Sequence, residues 1–518
     1  MARKTDHQLV LILDFGSQYA QLIARRVREF NCYSQIRPYT IGLDEIRRLA
    51  PAAVIFTGGP RSVYDRGAPL LPREYFDLGI PTLGICYGVQ MATHVLGGRV
   101  EKARAREFGR TELKVKAAGC LFDGLRKRNT VVWMSHGDRL ERLPKGFRVL
   151  AQTKDAPAAA VADEQRRFWG VQFHPEVSHT EQGRLFLRNF LKKCAGLKGD
   201  WTVKSFIEES VAGIRERVGS HRVVLGLSGG VDSAVAALLI HRAIGAQLEC
   251  IFVDNGVLRR DEFKRVKDTF GKDFGPHLHA IDAADRFLKE LAGVTDPEKK
   301  RKVIGRVFVE VFEEEARKLK GVKFLAQGTL YPDVIESVAA HGGPTAVIKS
   351  HHNVGGLPAR MGLELLEPLR LLFKDEVRVL GRELGLPDGI VNRQPFPGPG
   401  LAVRILGEVT RERADVLRAA DWIVVEEMKK SGWYDKLWQT FAVLLPVKTV
   451  GVMGDERTYE NALVLRCVDS ADGMTADWVR LPYELLATIS NRIINEVRGV
   501  NRVVYDLTSK PPGTIEWE

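Results

Sequence analysis

The chain has 518 residues, 45% of them hydrophobic and 27% charged, with a formal net charge of +12 from 77 basic and 65 acidic residues. This length exceeds what one hydrophobic core can organise, and roughly 150 residues per domain predicts about three domains. No apolar run approaches the roughly 18 residues that a membrane-spanning helix needs, and the apolar start Leu9 to Leu13 is too short for a signal-peptide core. We therefore expect a cytoplasmic protein with no membrane partner.

The cysteines agree with that location, because they lie far apart and include no C-x-x-C pair. They are Cys32, Cys86, Cys120, Cys194, Cys250 and Cys467. Free thiols are predicted for all of them. The basic net charge would suit nucleic acid or small anionic nucleotides, but no aromatic-basic RNA motif accompanies it. A solvated basic surface is favoured, and no nucleic-acid partner is expected.

The first segment alternates apolar runs with helical patterns. The runs are LVLILDFG, AAVIFTGG, TLGICYG and FWGVQFHP. Short apolar runs separated by helices predict a parallel sheet with crossover helices. The small, polar stretch CAGLKGD, 194–200, is predicted to be a linker, so the first domain is placed at residues 1–197.

The rest of the chain divides near PFPGPG, 395–400, where three prolines and two glycines interrupt any regular element. Before it, VVLGLSGG, ECIFVDNG and KFLAQGT repeat the pattern of strands ending in glycine or polar residues. They predict a second parallel-sheet α/β domain at 203–393. After it, long helical patterns mix with strands such as ALVLRCV, which predicts a small α+β domain at 394–518.

The turn LSGGVDS in the second segment joins a buried strand to a helix. Free N–H groups at a helix start, joined by glycines, form a cradle for phosphate. A Walker A loop would need G-x-x-x-x-G-K-[ST], which is absent. Asp232 is an anion at a predicted anion site, which makes sense if Mg²⁺ lies between Asp232 and the phosphates. The alternative is a helix cap with a tight turn.

SGGVDS resembles the pyrophosphate loop of the N-type ATP pyrophosphatases, which cleave ATP to AMP and pyrophosphate while activating an oxygen as an adenylate. The resemblance implies an adenine-nucleotide hydrolase-like domain with a loop that grips pyrophosphate. That group includes NAD synthetases, asparagine synthetases, tRNA-modifying enzymes and GMP synthetases. The loop alone does not choose a substrate.

A candidate nucleophile, Cys86, lies in GICYGVQ between an apolar strand and a helical pattern. A cysteine on such a turn is predicted to be exposed, with its thiolate stabilised by the helix start. The alternative is a buried, inert cysteine. In VQFHPE, His174 and Glu176 are two residues apart, which would place both on one face of an extended strand. Glu176 would then orient His174, and His174 would take the thiol proton.

These residues resemble the triad of the class I glutamine amidotransferases, which release ammonia from glutamine through a cysteinyl thioester. The resemblance implies that Cys86 is the nucleophile, His174 the base and Glu176 its orienting partner. It assigns the oxyanion hole to the N–H groups of Gly59 and Tyr87. Contacts to glutamine are assigned to Gln90, His136 and Asp138, although SHGD would also fit a solvated loop.

The whole chain, from LDFGSQYAQLIARRVRE to KPPGTIEWE, resembles the glutamine-hydrolysing GMP synthetases. Asparagine synthetases carry their amidotransferase nucleophile at the N-terminus, and glutamine-dependent NAD synthetases use a nitrilase-like domain, so neither matches. The resemblance implies attack of XMP O2 on the α-phosphorus of ATP, and displacement of AMP by ammonia. It also implies a homodimer built from the C-terminal domain.

The resemblance assigns binding residues along the second and third domains. Those for ATP and pyrophosphate are Ser228, Gly229, Gly230, Val231, Asp232, Ser233 and Lys374, with Mg²⁺ held at Asp232 through the phosphates. Val253 and Gly328 are predicted ATP contacts because they lie at the ends of the second and third strands of that domain. Those for XMP are Arg301, Gln439, Asp455, Arg457, Lys510 and Glu516. The arginines suit a nucleotide monophosphate, although each one alone would also suit a solvated surface.

A glycine-rich segment, 348–363, is predicted to be a lid that closes over the activated intermediate and excludes water. Two other functions compete with a GMP synthetase. One is an ATP pyrophosphatase acting on tRNA, favoured by the basic charge but opposed by the amidotransferase half. The other is a nucleotide-sensing protein with retired sites, opposed by the intact triad and loop.

Overall fold

A computed structural model describes residues 7–117, 119–125, 127–339, 362–453, 456–470, 473 and 475–518. The predicted XMP contact Asp455 lies outside the described residues, as does the predicted lid up to residue 361. The chain divides into two compact units, Met1–Phe206 and Ile207–Glu518, which we call the first and second unit. Within the described residues, no helix has the length and apolar character needed to cross a membrane.

The first unit is built on one nine-stranded sheet. Its strands are β1 (Leu9–Asp14), β2 (Tyr33–Pro38), β3 (Ala53–Phe56), β4 (Thr82–Ile85), β5 (Arg99–Val115), β6 (Asn129–Arg142), β7 (Arg148–Gln152), β8 (Ala160–Asp163) and β9 (Phe168–Val171). The helices are α1 (Ala20–Arg28), α2 (Leu43–Leu49), α3 (Tyr87–Val95) and α4 (Gly183–Asn189), and α5 (Val203–Val218) begins in this unit and ends in the next.

The sheet has a parallel half and an antiparallel half. The order is β2-β1-β3-β4-β9-β8-β7-β5-β6, and the pairs from β2 to β9 are parallel. Strands β3, β4 and β9 are buried at every position, as expected for parallel strands covered on both faces. This half confirms the predicted fold. The antiparallel half was not predicted, because its two long strands, β5 and β6, are mostly polar.

The prediction of free thiols is wrong for two of the six cysteines. Cys120 and Cys194 form a disulfide with their Cα atoms 5.7 Å apart, while the other four are free and buried. The turn at residues 120–122 packs against the end of the α4 region, where the Asn189 side chain donates to the carbonyls of Leu121 and Asp123 at 3.0 and 2.7 Å. Sequence spacing gives no sign of this contact, since 74 residues separate the two cysteines.

The second unit contains a five-stranded, fully parallel sheet of order β12-β11-β10-β13-β14. Its strands are β10 (Arg222–Gly226), β11 (Leu248–Asp254), β12 (Leu278–Asp282), β13 (Val322–Ala326) and β14 (Glu364–Leu366). The helices are α6 (Val231–Ile244), α7 (Glu262–Phe274), α8 (Ala284–Leu291), α9 (Pro297–Lys318), α10 (Tyr331–Ala339), α11 (Lys374–Glu383) and α12 (Asp388–Val391). The strand order reverses at β10, and ligands of open parallel sheets bind at such a point.

The C-terminal part of the second unit is α+β, as predicted. It contains α13 (Arg411–Lys430), β15 (Gln439–Met453), β16 (Glu456–Asp469), β17 (Asp477–Trp478), α14 (Tyr483–Glu496) and β18 (Val500–Tyr505). β16 pairs antiparallel with β15 and β17 and parallel with β18. One hydrophobic core runs from Val253 on β11 through Leu401 to Leu444 on β15. The two sheets of this unit are therefore packed on a common core, and the domain boundary at 393/394 stays a prediction.

Candidate active sites

Cys86 lies at the turn between β4 and α3 with a backbone φ of +50°. A positive φ is strained for a residue with a Cβ atom, and it is the geometry of nucleophile turns between a strand and a helix. The residue is only 5% exposed, so the prediction of an exposed cysteine is wrong. The reason is that other segments of the first unit surround it: Sγ lies 3.7 Å from the Ser135 carbonyl oxygen, and a Cβ atom at Gly58 would lie 3.7 Å from Cβ of Cys86 and 3.1 Å from the His174 ring.

His174 and Glu176 form a buried pair, with Nδ1 of His174 2.7 Å from Oε1 of Glu176. The expectation that both lie on an extended strand is wrong, because β9 ends at Val171 and both residues lie in the turn that follows. Hydrogen bonds hold that turn: the His174 N–H donates to the Trp133 carbonyl at 3.0 Å, and the Thr180 hydroxyl donates to the His174 carbonyl at 2.6 Å. Because β4 and β9 are parallel neighbours, their ends bring Cys86 and His174 to one edge of the sheet.

The charge state of His174 follows from its two neighbours. Burial lowers the pKa of His174, but the Glu176 carboxylate and the hydrogen bonds to Cys86 and Glu176 raise it by more. The net effect of these causes raises the pKa of His174 from 6.5 to about 11. His174 is therefore an imidazolium at neutral pH in the resting site. A protonated imidazole beside Cys86 can act as a general acid.

The two main-chain N–H groups predicted for the oxyanion hole are those of Gly59 and Tyr87, and Tyr87 directly follows Cys86 in the chain. Among the described residues, neither group donates a hydrogen bond to a protein acceptor. Tyr87 is the first residue of α3, where N–H groups have no partner inside the helix. A Cβ atom at Gly59 would lie 2.9 Å from the Phe15 carbonyl oxygen and 3.3 Å from the Tyr87 ring, so only glycine fits there. This arrangement has the donors that an oxyanion hole needs.

The predicted glutamine contacts lie on α3 and β6, beside the thiol. Nε2 of Gln90 donates to the Asp138 carbonyl at 3.0 Å, and His136 is 5% exposed. A residue not predicted from the sequence, Glu107, lies opposite His136 on β5 with its Oε2 3.5 Å from Nε2. Only the register of the β5–β6 pair brings the two together, so no local signal pointed to Glu107.

The predicted phosphate loop of the second unit connects β10 to α6 at the sheet's switch point. Gly229 has a φ of +70°, a conformation that favours glycine. The Ser233 hydroxyl accepts from the Ser228 N–H at 3.1 Å, and the two hydroxyls are 2.9 Å apart. Val231 and Asp232 form the first turn of α6, where N–H groups are unpaired within the helix, and a helix start of this kind favours negative charge.

Lys374, the first residue of α11, reaches this loop. Its Nζ lies 2.7 and 2.6 Å from the two carboxylate oxygens of Asp232, and both side chains are partly exposed. Gly328, just after β13, is the other close neighbour: a Cβ atom there would lie 3.2 to 3.3 Å from Asp232. Val253 lies on β11 with its side chain in the core. Its side chain is therefore not available for the predicted ATP contact, and only its main chain is.

Three of the predicted XMP contacts lie around the C-terminal tail. Nε2 of Gln439 donates to Oε1 of Glu516 at 2.7 Å, and Arg301 donates to the carbonyl of Glu518. Glu516 also accepts two bonds from the guanidinium of Arg404, at 2.8 and 3.0 Å. Arg404 is fully buried and was not predicted, since charged residues are almost always exposed unless paired.

Of the two remaining predicted XMP contacts, Lys510 lies within the tail and Arg457 lies outside it. Lys510 donates to the Gly473 carbonyl at 2.8 Å. Arg457 lies on β16, nine residues before Arg466, whose guanidinium holds the tail at Thr508 and Thr514. An extended strand rises about 3.3 Å per residue, which separates Arg457 from the tail by roughly 30 Å within one chain.

A cavity of about 500 Å³ adjoins the tail and is within the size range of small-molecule sites. Its lining includes Arg466, Asp506, Thr508, Glu516 and Trp517. It therefore has an aromatic ring, a cation and carboxylates around one hollow. Trp517 and Arg466 were not predicted, because their proximity depends on the fold of the tail.

Comparisons with known proteins match successive parts of the chain. The family described as glutamine amidotransferase class-I matches residues 11–194, NAD synthase matches residues 202–289, and the GMP synthase C terminal domain matches residues 426–517. The fold and the two sites thus define a glutamine amidotransferase joined to an ATP pyrophosphatase.

Full-length relatives specify the family. The chain is 59% identical over 511 residues to the GMP synthase (glutamine-hydrolyzing) of Caldanaerobacter subterraneus subsp. tengcongensis, covering 99% of each chain. It is 59% identical over 520 residues to the enzyme of the same name from Phenylobacterium zucineum, covering all of both. A solved glutamine amidotransferase from Thermotoga maritima is 19% identical with a TM-score of 0.30, covering 36% of this chain and 99% of that one. The chain belongs to the glutamine-hydrolysing GMP synthases, enzymes that make GMP with nitrogen from glutamine.

Proposed function

We propose that the first unit hydrolyses glutamine at Cys86 and that the second unit uses ATP to activate O2 of XMP as an adenylate. Ammonia from the first reaction displaces AMP from adenyl-XMP, and the products are GMP, AMP, pyrophosphate and glutamate. The observation that carries this assignment is the buried set of Cys86, His174 and Glu176 in a chain that also contains the β10–α6 loop with Lys374.

In the glutaminase reaction, Sγ of Cys86 attacks the carboxamide carbon and the oxygen of that group becomes an oxyanion. The N–H groups of Gly59 and Tyr87 stabilise that charge. His174 donates its proton to the departing ammonia, which leaves a thioester, and then accepts a proton from the water that hydrolyses it. Glu176 keeps the imidazole oriented throughout. Gln90, His136 and Asp138 bind the remainder of glutamine.

In the synthetase reaction, the loop Ser228–Ser233 binds the β- and γ-phosphates that leave as pyrophosphate. Lys374 adds a positive charge there, and the main chain at Val253 and Gly328 lines the ATP site. Asp232 fits Mg²⁺, because this ion is usually held by one or two carboxylates together with substrate phosphates. When bound, Mg²⁺ would neutralise charge on the phosphates, and Lys374 would then pair with phosphate oxygens in place of Asp232.

XMP binds beside the C-terminal tail in this proposal. Glu516, positioned by Arg404 and Gln439, accepts hydrogen bonds from purine N–H groups. The aromatic ring of Trp517 lines the same cavity and offers a face for the purine. Arg301 and Lys510 supply positive charge for the monophosphate. We place this chemistry in the cytoplasm, where nucleotide substrates are found.

We also propose a homodimer through the C-terminal sheet. Val450, Val452 and Tyr459 form what we call the hairpin face, with Val450 directly opposite Tyr459 on the paired strand. These side chains are 51%, 72% and 60% exposed, and exposed apolar groups in one patch mark protein interfaces. Arg457 lies on the same strand pair, far along the chain from the tail, so in a dimer it would complete the XMP site of the partner.

The direct test is amination of XMP, followed by its ultraviolet absorbance, with ATP, Mg²⁺ and either glutamine or ammonium. Wild type is expected to make GMP from both nitrogen donors, and Cys86→Ala only from ammonium. Cys32→Ala is the matched control, because Cys32 is also a free buried cysteine of the first unit. If Cys86→Ala still used glutamine, the assignment of the nucleophile would be wrong. If XMP were inert while ATP was cleaved with another acceptor, the substrate assignment would be wrong.

A further inference from the structure

Arg393, two residues after α12, contacts the phosphate loop from behind. Its Nη1 donates to the Gly229 carbonyl at 2.9 Å, and its Nη2 lies 2.6 Å from Oε1 of Glu262 at the start of α7. The guanidinium also lies 5.6 Å from the centre of the Phe396 ring. The side chain is 16% exposed, so one partly buried arginine joins the loop, α7 and the segment after α12.

The bond to Gly229 fixes the orientation of one peptide group. The carbonyl of the Gly229–Gly230 peptide accepts from Arg393, and its N–H donates to the Ser228 hydroxyl at 3.3 Å. Both polar ends of this peptide are therefore held. Gly229 adopts a positive φ, and glycine has access to several backbone conformations. The two hydrogen bonds select the loop conformation in which the following N–H groups point toward an anion.

Arg393 is itself held by Glu262, which is 2% exposed. The second oxygen of Glu262 accepts from the Arg259 N–H at 3.1 Å, and the Arg259 guanidinium lies 2.9 Å from Asp421. A buried carboxylate without a cation would be costly, so Glu262 keeps Arg393 in place. The result is a row of alternating buried charges behind the loop.

The row continues to the C-terminal tail. Asp421 lies 3.8 Å from Nη1 of Arg404, and Arg404 donates to the two carboxylate oxygens of Glu516 from Nε and Nη2. Phe396 lies among three of these arginines, 4.8 Å from Arg259 and 5.1 Å from Arg404. Each side chain is thus anchored by its neighbours rather than by solvent.

We propose that Arg393 is a positioning residue for the pyrophosphate loop, held in place by Glu262. This inference rests on the pyrophosphate role proposed above for the loop. Arg393 acts through the Gly229 carbonyl and does not contact phosphate itself. Its loss therefore weakens the binding of ATP and pyrophosphate more than the binding of XMP.

The experiment compares Arg393→Met, Arg393→Lys and the double variant Glu262→Gln, Arg393→Met in the full chain. Arg393→Met alone leaves the buried Glu262 carboxylate without its cation and could fold poorly for that reason. The double variant also neutralises Glu262, so it tests the loss of Arg393 without an unpaired buried charge. The control is Arg492→Met, because Arg492 is also partly buried among carboxylates, those of Glu426, Glu427 and Glu496. Readouts are the Kd of pyrophosphate with Mg²⁺, the KM values of ATP and XMP with ammonium as nitrogen donor, and the melting temperature.

Arg393→Met and the double variant are expected to raise the pyrophosphate Kd and the ATP KM about tenfold or more, the usual effect of losing a hydrogen bond to a charged group. The XMP KM should change far less, and Arg393→Lys should recover part of the loss. Arg492→Met should bind pyrophosphate as wild type does.

A fall in melting temperature with unchanged pyrophosphate Kd in both variants would overturn the inference. Lys374→Met, measured in parallel, separates this outcome from failure of the loop assignment. If Lys374→Met weakens pyrophosphate binding and the Arg393 variants do not, only the positioning role is wrong. If none of them weakens it, the loop is not the pyrophosphate site.

Discussion

Glu176 holds His174 through a 2.7 Å bond between Oε1 and Nδ1, and Arg26 on α1 holds the Glu176 main chain by donating to its carbonyl at 3.0 Å. The pair is buried and faces Cys86. An imidazole held in this way presents its other nitrogen to the thiol in one orientation. The orientation of His174 therefore depends on the Glu176 carboxylate, and its charge depends on Glu176 together with Cys86.

Replacing that carboxylate tests the dependence. Glu176→Gln should lower kcat of glutamine hydrolysis roughly 10²- to 10⁴-fold, because the imidazolium loses its stabilising charge and the favoured tautomer changes. Ammonium-dependent GMP synthesis should persist. The control is Glu181→Gln, since Glu181 follows in the same loop but is exposed and pairs with Arg110. Retention of wild-type glutaminase activity in Glu176→Gln would remove Glu176 from the triad.

The same pair predicts a pH dependence of stability. The folded-state pKa of His174 is raised from 6.5 to about 11, so the folded state binds a proton that the unfolded state loses above pH 6.5. The stabilisation is complete below pH 6.5 and declines as the pH rises toward 11. Urea unfolding of wild type and Glu176→Gln should show the largest difference in free energy near pH 6 and a smaller one at pH 9. A difference that grew with pH would contradict the raised pKa.

Gly59 should tolerate no side chain. In Gly59→Ala the new methyl would lie 2.9 Å from the Phe15 carbonyl oxygen, so the main chain must shift and the N–H moves away from the oxyanion. We expect glutaminase kcat to fall on the order of 10²-fold, the usual effect of losing one oxyanion donor. Gly42→Ala is the control, because a methyl there meets nothing within 4 Å. Equal activity of both variants would exclude Gly59 from the oxyanion hole.

Lys374→Met should impair only the synthetase reaction. Losing a charge-assisted contact to phosphate typically costs about 10- to 100-fold in binding, so the KM of ATP should rise by that order. Lys323→Met is matched in exposure and lies on β13, where Lys323 pairs with Glu364. An unchanged ATP KM in Lys374→Met, measured by AMP release, would mean that Lys374 pairs with Asp232 but does not contact the phosphates of ATP.

The hairpin face should carry the dimer contact. Val452→Lys, alone or with Tyr459→Lys, places charge on the apolar patch and should shift the protein from dimer to monomer in light scattering. Val379→Lys is the control, an exposed valine on α11 outside the patch. If the hairpin variants kept the mass of wild type, the dimer would have to form through another surface. A monomeric wild type would refute the dimer itself.

Local sequence patterns were sufficient to predict which strands end at the sites and which residues follow them. Buried strands such as β1, β4 and β10 are short apolar runs, and glycine-rich turns follow β4 and β10. Periodicity and turn chemistry are local properties, so they can be read without knowing the rest of the fold. The motifs around Cys86, His174 and Asp232 lie directly after such strands.

The surroundings of those residues, in contrast, depend on the folded chain. The burial of Cys86 comes from Ser135 and Gly58, the Cys120–Cys194 bond joins parts of the chain 74 residues apart, and Arg393 meets Gly229 across 164 residues. Contacts of this kind depend on strand register and on packing between distant elements. Free energy is gained only when those elements meet, so no local sequence pattern encodes the contact. The residues that make such contacts can therefore be identified only in the folded structure.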